Sequence, residues 1–287
     1  MPTPWPLWLL GLTVFGATSF IVLGDTAGKA MVMDGVSPWF VAWSRLALGA
    51  LIMLPLVGLK PGEPETLLSR KVVLRATLMT AALSCILTAL RTVPLSDAFG
   101  AFFVGPIVTY ILAVVFLGET TSWARTGLLG IGFAGVLLVV KPGFGFTLGM
   151  GLAICAGMFW GSFLATTRWI ARDHRAGFLL WSQLVIGGVI LAPLGLTHVP
   201  NDWTWNTAGL VLLSALASAT GNFLLVHANR HGEGSVIAPL IYTMLISATG
   251  FGFLAFGDIP DLLAALGLAL ILGSGLATLS IVKHRPG

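Results

Sequence analysis

The sequence predicts an all-α integral membrane protein, with ten transmembrane helices arranged as two five-helix inverted repeats around a central cavity. Three observations carry that prediction. Charged residues make up only 9% of the 287 residues and hydrophobic residues 56%, where a soluble domain carries about 25% charge. Ten apolar runs follow one another with short breaks between them. A segment of the first half then recurs in the second half at a nearly constant offset.

The charge deficit excludes a disordered chain, a disulfide scaffold and an ordinary soluble enzyme, because a soluble surface needs far more charge to cover it. The formal net charge of +4 then bears on membrane orientation. No basic patch interleaved with aromatics is present, so no nucleic-acid partner is expected. A spanning helix takes roughly 20 residues, and ten of them take roughly 200, which leaves no room for a sizeable soluble domain. Cys85 and Cys155 lie in apolar runs and read as small core residues, not as a disulfide.

The runs fall at about 7–28, 37–58, 73–91, 95–117, 122–140, 147–170, 177–197, 205–229, 234–256 and 261–282. The first lacks a basic flank and reads as a span, not a cleaved signal. Lys60-Pro61-Gly62-Glu63-Pro64 separates the second and third, and Arg91-Thr92-Val93-Pro94 makes a tight hairpin of the third and fourth. Lys141-Pro142-Gly143 closes the fifth, and Gly257-Asp258-Ile259-Pro260 divides the ninth from the tenth. With the N-terminus in the cytoplasm, eleven basic residues fall in inner connections, among them Arg70, Lys71, Arg75, Arg168 and Arg175. Three fall outside, Lys29, Arg91 and Lys141, and Arg45 sits within a span. That asymmetry favours ten spans with both termini in the cytoplasm.

Residues 38–56 slide onto 176–194 with eight identities in 19 positions: Phe40, Trp43, Ser44, Leu46, Gly49, Ile52, Pro55 and Leu56 meet Phe178, Trp181, Ser182, Leu184, Gly187, Ile190, Pro193 and Leu194. Leu117-Gly118-Glu119 likewise aligns with Phe256-Gly257-Asp258. A unit of five spans is odd, so the second copy enters the membrane from the opposite side, and the expected units are 1–143 and 144–287. Inverted repeats support alternating access to a site near the midplane.

The 5+5 organisation, Arg45 in the second span, Gly118-Glu119 closing the fourth and Trp160-Gly161-Ser162 in the sixth resemble the drug/metabolite transporter superfamily, in its EamA-type exporter branch. Leu240-Ile241-Tyr242-Thr243 and the aromatic content look most like the bacterial aromatic amino acid exporters. The resemblance covers essentially the whole chain. It departs at Phe15-Gly16-Ala17, which stands opposite Trp160-Gly161-Ser162, and at Asp258, where Glu is usual. It implies export of small amphiphilic metabolites, aromatic or hydrophobic amino acids first; the chain itself is expected to act as a monomer without a cofactor or metal. It also implies a cavity surrounded by spans one to four and six to nine, with five and ten standing aside.

Polar groups in hydrocarbon should face a cavity or another helix. Ser214, Ser218 and Asn222 share one face of the eighth span, and the repeat maps Ser218 and Asn222 onto Met79 and Leu83. Asn222 serves equally as an interhelical hydrogen-bonding residue. Tyr242 maps onto Phe103. Phe99 shares a face with Phe103, and Trp160 lies three residues from Phe163. These rings could pack an apolar side chain, with Tyr242, Asn222 and Gln183 addressing a polar end, or they could simply fill the bundle or face lipid. Arg45 needs a partner inside the membrane. Asp25 is the candidate, unless Asp25 pairs with Lys29, and the pair is expected to be gating or structural. His227 could carry a proton or could be an ordinary helix residue. Thr126, Gly130 and Ala134, matched by Ala265, Ala269 and Gly273, form small-residue rows expected to pack the two copies together.

Rival classes lack their parts. Gly24 to Lys29 has the wrong spacing for a phosphate loop, and Ala30 stands where Ser or Thr is needed. No protease motif is present. A channel would need charged rings or a carbonyl filter, although a passive facilitator stays open.

Overall fold

The computed structural model of the chain describes residues 5–118, 123–141, 146–171, 173–231 and 234–283. The described residues are helical, in the order α1 (Leu7–Met33), α2 (Pro38–Val57), α3 (Arg70–Ala89), α4 (Leu95–Phe102), α5 (Gly105–Leu117), α6 (Trp123–Val140), α7 (Leu148–Ile170), α8 (Ala176–Thr197), α9 (Trp205–His231), α10 (Gly234–Leu240), α11 (Met244–Phe256) and α12 (Leu262–Lys283). Glu119, Pro142, Gly143, Arg172 and Arg285 lie outside the described residues, as does the expected 143/144 unit boundary.

Sequence chemistry sets the helix ends. Pro38 opens α2, where its missing N–H is harmless. The Ser69 hydroxyl accepts from Val72 N at 3.4 Å at the start of α3, and the Thr147 hydroxyl accepts from Met150 N at 3.2 Å at the start of α7. Gly118 and Gly257 end α5 and α11 in the left-handed region, at φ 65° and 68°. The matched Gly-acid pairs of the sequence are therefore two equivalent helix stops.

Among the described residues, eight helical segments are long and apolar enough to cross a membrane, and two further apolar stretches, Thr126–Val140 and Leu262–Thr278, are shorter. The ten expected runs are thus matched by eight helices of spanning length. Two of the eight, Leu95–Phe116 and Ile237–Phe256, are broken. Seven of the ten tryptophans, at 5, 8, 39, 123, 169, 203 and 205, stand at or beside helix ends, and Trp123 and Trp205 are more than nine-tenths exposed. Such belts of aromatics mark the two interfaces of a bilayer.

The near end of the bundle is where α1 begins, and the far end is where it finishes. At the near end, Trp5 N–H donates to the His231 carbonyl at 3.0 Å, and Arg175 reaches the Gly58 carbonyl at 3.0 Å. At the far end, Lys29 meets Asp258 at 2.6 Å. The most extensive seams run α1 against α9, α3 against α7, α2 against α8 and α6 against α12.

Three expectations need correction. Arg75 does not lie in a connection: α3 begins at Arg70, and Arg75 is buried inside the helix. The small-residue rows do not pack α6 against α12. A Cβ at Gly130 or Gly273 would meet nothing within 4 Å, and Ala265 and Ala269 are exposed. The seam runs instead through Gly135 and Gly267, where each Cβ would stand 2.6 Å from the other glycine's carbonyl oxygen. Finally, Cys155 is exposed, not a core residue, and both thiols are free.

Candidate functional site

The two broken helices meet at an aromatic centre. Pro106 has no N–H and crowds the carbonyl four residues back, so the helix cannot run through from α4 to α5. Phe103 N–H instead shares the carbonyls of Phe99 and Gly100, both at 3.2 Å. Between α10, which contains Pro239, and α11, residues Ile241–Thr243 form a single tight 3-10 turn. The Thr243 hydroxyl donates to the Leu240 carbonyl there at 2.6 Å. Phe103 and Tyr242 sit at these two breaks with ring centroids 4.8 Å apart. Phe102 packs on Trp160 at 4.9 Å and on Phe99 at 5.9 Å.

Trp160-Gly161-Ser162 has a packing reason. A Cβ at Gly161 would collide with the Gly105 carbonyl oxygen, so only glycine lets α5 cross α7 so closely. The Thr109 hydroxyl donates across that crossing to the Gly161 carbonyl at 3.0 Å.

A cavity of about 210 Å³ extends from this centre toward the near end. Phe103, Trp160 and Tyr242 line its inner part, and Arg168 and Thr278 stand toward the near end. Its walls include Leu128, Leu129 and Gly132 of α6 and Ile271, Ser274 and Gly275 of α12. The fifth and tenth runs thus form part of this cavity's wall, and no described residue of the first, second, third, seventh or eighth run lines it. Most of the lining is apolar, with Thr109, Tyr110, Ser274 and Thr278 supplying hydroxyls.

On the near side of the bundle, α3 carries the buried Arg75. Its Nε donates to Thr167 Oγ1 at 2.8 Å, its Nη1 to the Leu179 carbonyl at 2.7 Å, and the guanidinium lies 4.5 Å from the Phe163 ring centroid. Gln183, one turn beyond Leu179 on α8, is 4% exposed, and its Oε1 has no hydrogen-bond partner. At the near surface, Arg175 holds both oxygens of Glu63 at 2.7 Å. That hydrogen-bonded guanidinium lowers the Glu63 carboxyl to about 2, and the same pairing raises Arg175.

Toward the far end, Arg45 Nη1 donates to Asp25 Oδ1, both side chains buried. Lys29 pairs with Asp258, not with Asp25, and lies 4.4 Å from the Phe256 ring centroid. Asp258 also accepts from Leu95 N at 3.3 Å, so one carboxylate ties α1 to the start of α4. The Ser214 hydroxyl donates to the Gly24 carbonyl at 2.8 Å, which seals α9 against α1.

The structure brings Phe99, Phe103, Trp160 and Tyr242 together, and Leu83 joins the same apolar cluster. It does not bring in the rest. Phe163 faces Arg75, Met79 is half-buried on α3, and Asn222 donates to the Ser218 carbonyl of its own helix at 2.8 Å. Of the nine candidate binding residues, Phe103, Trp160 and Tyr242 line the cavity. His227 lies 5.3 Å from the Trp5 ring and 4.7 Å from His231, in an aromatic cluster at the near end. Sequence reasoning missed Arg75 because an expected span start at 73 left it beside a loop. Its spacing of four from Met79 was the available signal.

The profile of the EamA-like transporter family matches the chain twice, at residues 3–141 and 147–280. The pseudopaline exporter of Pseudomonas aeruginosa is 23% identical over 86% of this chain and 87% of its own. The S-adenosylmethionine uptake transporter of Rickettsia bellii is 24% identical over 82% and 81%, and the riboflavin transporter of Vibrio cholerae 24% identical over 94% and 91%. These relatives are named for metabolites other than aromatic amino acids. A crystal structure with 17% sequence identity superposes on 94% of this chain and 98% of its own at a TM-score of 0.65, a likeness of fold.

Proposed function

The chain belongs to the EamA-like transporter family, and from that premise we propose that it is a secondary carrier exporting small amphiphilic metabolites, aromatic or other hydrophobic amino acids first. It works as a monomer by alternating access, between repeats at 1–143 and 144–287 that together supply ten membrane helices. The observation that carries the proposal is the meeting of Phe103 and Tyr242, 139 positions apart, at two helix breaks on the wall of one apolar cavity.

Further support comes from the packing. Exchanging each helix of the first half for its repeat equivalent turns the α1–α9 seam into the α7–α3 seam. The same exchange leaves α2–α8 and α6–α12 unchanged. Two packings related in this way have similar energies, which is what a two-state carrier needs. Interrupted helices in corresponding places are the usual mark of a midplane transport site. A solute ring would rest on Phe103, Trp160 and Tyr242, with Phe99 and Leu83 behind them. Arg45 and Asp25 would hold the far side shut. The asymmetry of the basic residues supports cytoplasmic termini in a bacterial inner membrane.

The test is uptake of a panel of labelled amino acids into liposomes holding the purified chain, with and without a pH gradient. Saturable uptake of aromatic or aliphatic members is expected. Uptake of none of them would end the amino acid proposal, and unitary conductance in a planar bilayer would replace the carrier with a channel.

A further inference from the structure

We propose that Arg75 recognises an anion: it takes the carboxylate of an amphiphilic solute whose apolar part rests on the aromatic centre. This deepens the carrier proposal, on which it rests, by naming the chemical class of the solute.

The ground is a contrast between two buried arginines. Arg45 is 5% exposed and Arg75 4%. The charge of Arg45 is met by Asp25. Arg75 touches a hydroxyl, a backbone carbonyl and an aromatic ring, and among the described residues no carboxylate pairs with it. A guanidinium held in a membrane without an opposite charge is expensive, and the same low dielectric strengthens its attraction for an anion that arrives.

Gln183 adds an independent observation. It occupies, at the repeat offset of 138, the position of Arg45 in the first half. It is as deeply buried, and its amide oxygen lacks a partner. A half-turn of the terminal torsion exchanges the two ends of the amide and presents N–H groups to an anion. Leu179, whose carbonyl receives Arg75, lies one turn earlier on the same helix.

One stripe of α3 leads from Arg75 toward the aromatic centre. Arg75, Met79 and Leu83 are spaced by four on one stripe of α3. Leu83 packs in the same cluster as Phe99 and Phe103. Eight helical residues rise about 12 Å, and the arginine side chain itself bridges part of that distance. A short amphiphile reaches both places. Met79, between them, is the side chain that yields most readily.

The experiment is calorimetric titration of the purified full chain in nanodiscs with 3-phenylpropionate and with its uncharged isostere 3-phenylpropionamide. The acid should bind at least about tenfold more tightly than the amide. Arg75→Gln should abolish that preference, and Arg75→Lys should retain part of it. Gln183→Glu puts a carboxylate one helical turn from the Leu179 carbonyl that holds the guanidinium; it should melt no lower than the unmodified chain and lose the preference as well. Equal affinities for acid and amide, binding of neither, or an unchanged preference in well-folded Gln183→Glu would each overturn the inference. Counterflow separates it from the carrier proposal. A chain that exchanges neutral solutes without preferring acids keeps the carrier and loses the anion site, and one that binds the acid without any counterflow does the reverse.

Discussion

Phe103 and Tyr242 stack at 4.8 Å between ring centroids and 34° between ring planes, each at the point where its membrane helix is interrupted. Because both rings also line the cavity, a change in either should act on solute choice. Tyr242→Ala and Phe103→Ala are expected to shift the ratio of transport rates between aromatic and aliphatic amino acids by about tenfold, the effect of about 1.4 kcal/mol of differential binding. Asn222→Ala should leave that ratio unchanged, since its amide nitrogen turns back to the Ser218 carbonyl of its own helix and the residue does not line the cavity. Competition assays in vesicles distinguish the two outcomes.

Asp25 and Arg45 form a buried ion pair inside the membrane. Removing one partner strands the other, so Asp25→Asn or Arg45→Gln alone should destabilise the chain by about 3–5 kcal/mol. The double variant should recover much of the loss. Unfolding titrations in mixed micelles measure both, and an Arg45→Gln chain with unaltered stability and transport would remove the pair from any gating or structural role.

Gly161 faces the Gly105 carbonyl with no room for a side chain, whereas Gly130 faces open space. Gly161→Ala is expected to lower stability by about 1–3 kcal/mol through overpacking. Gly130→Ala should be neutral or stabilise by up to about 1 kcal/mol through helix propensity. Thermal melts of the two alanine variants side by side check this.

Glu63 is held at about 2 by Arg175, below its ordinary 4.5. A carboxyl lowered on folding stabilises the fold above its unfolded value and loses that contribution as the pH falls through the folded one. The clasp between the α2–α3 connection and the start of α8 should therefore hold at neutral pH and loosen between pH 4.5 and about 2. The protection of residues 60–69 against hydrogen exchange, taken relative to intrinsic amide rates, should fall over that window in the parent. A Glu63→Gln chain should show reduced protection already at neutral pH and no step on acidification.

Much of the fold was legible because its signals are periodic and local. Apolar runs, Pro-Gly breaks and the Gly118/Gly257 helix stops need only neighbouring residues. Phe103 and Tyr242 were found by the repeat offset, which reports symmetry without coordinates. What stayed hidden depends on the third dimension. A helix break inside an apolar run leaves hydropathy unchanged, so the interruptions at Phe103 and Tyr242 were not foreseen. Thr126, Gly130 and Ala134 lie on one helical face, but the sequence does not say which face meets α12. Lys29 lies four residues from Asp25, yet it takes Asp258, which comes near only when α1 and the end of α11 pack together. Arg75 lay within three residues of an expected span start, where an error of one turn moves a charge from water into the membrane.

The central claim, a carrier with one site reached alternately from either side, is tested most directly by counterflow. Liposomes containing the chain are preloaded with unlabelled phenylalanine, and entry of labelled phenylalanine is followed. Alternating access predicts transient accumulation above the outside concentration, reached about tenfold more slowly in Tyr242→Ala and absent without preloading. Entry that does not respond to preloading, or no entry at all, would contradict the claim.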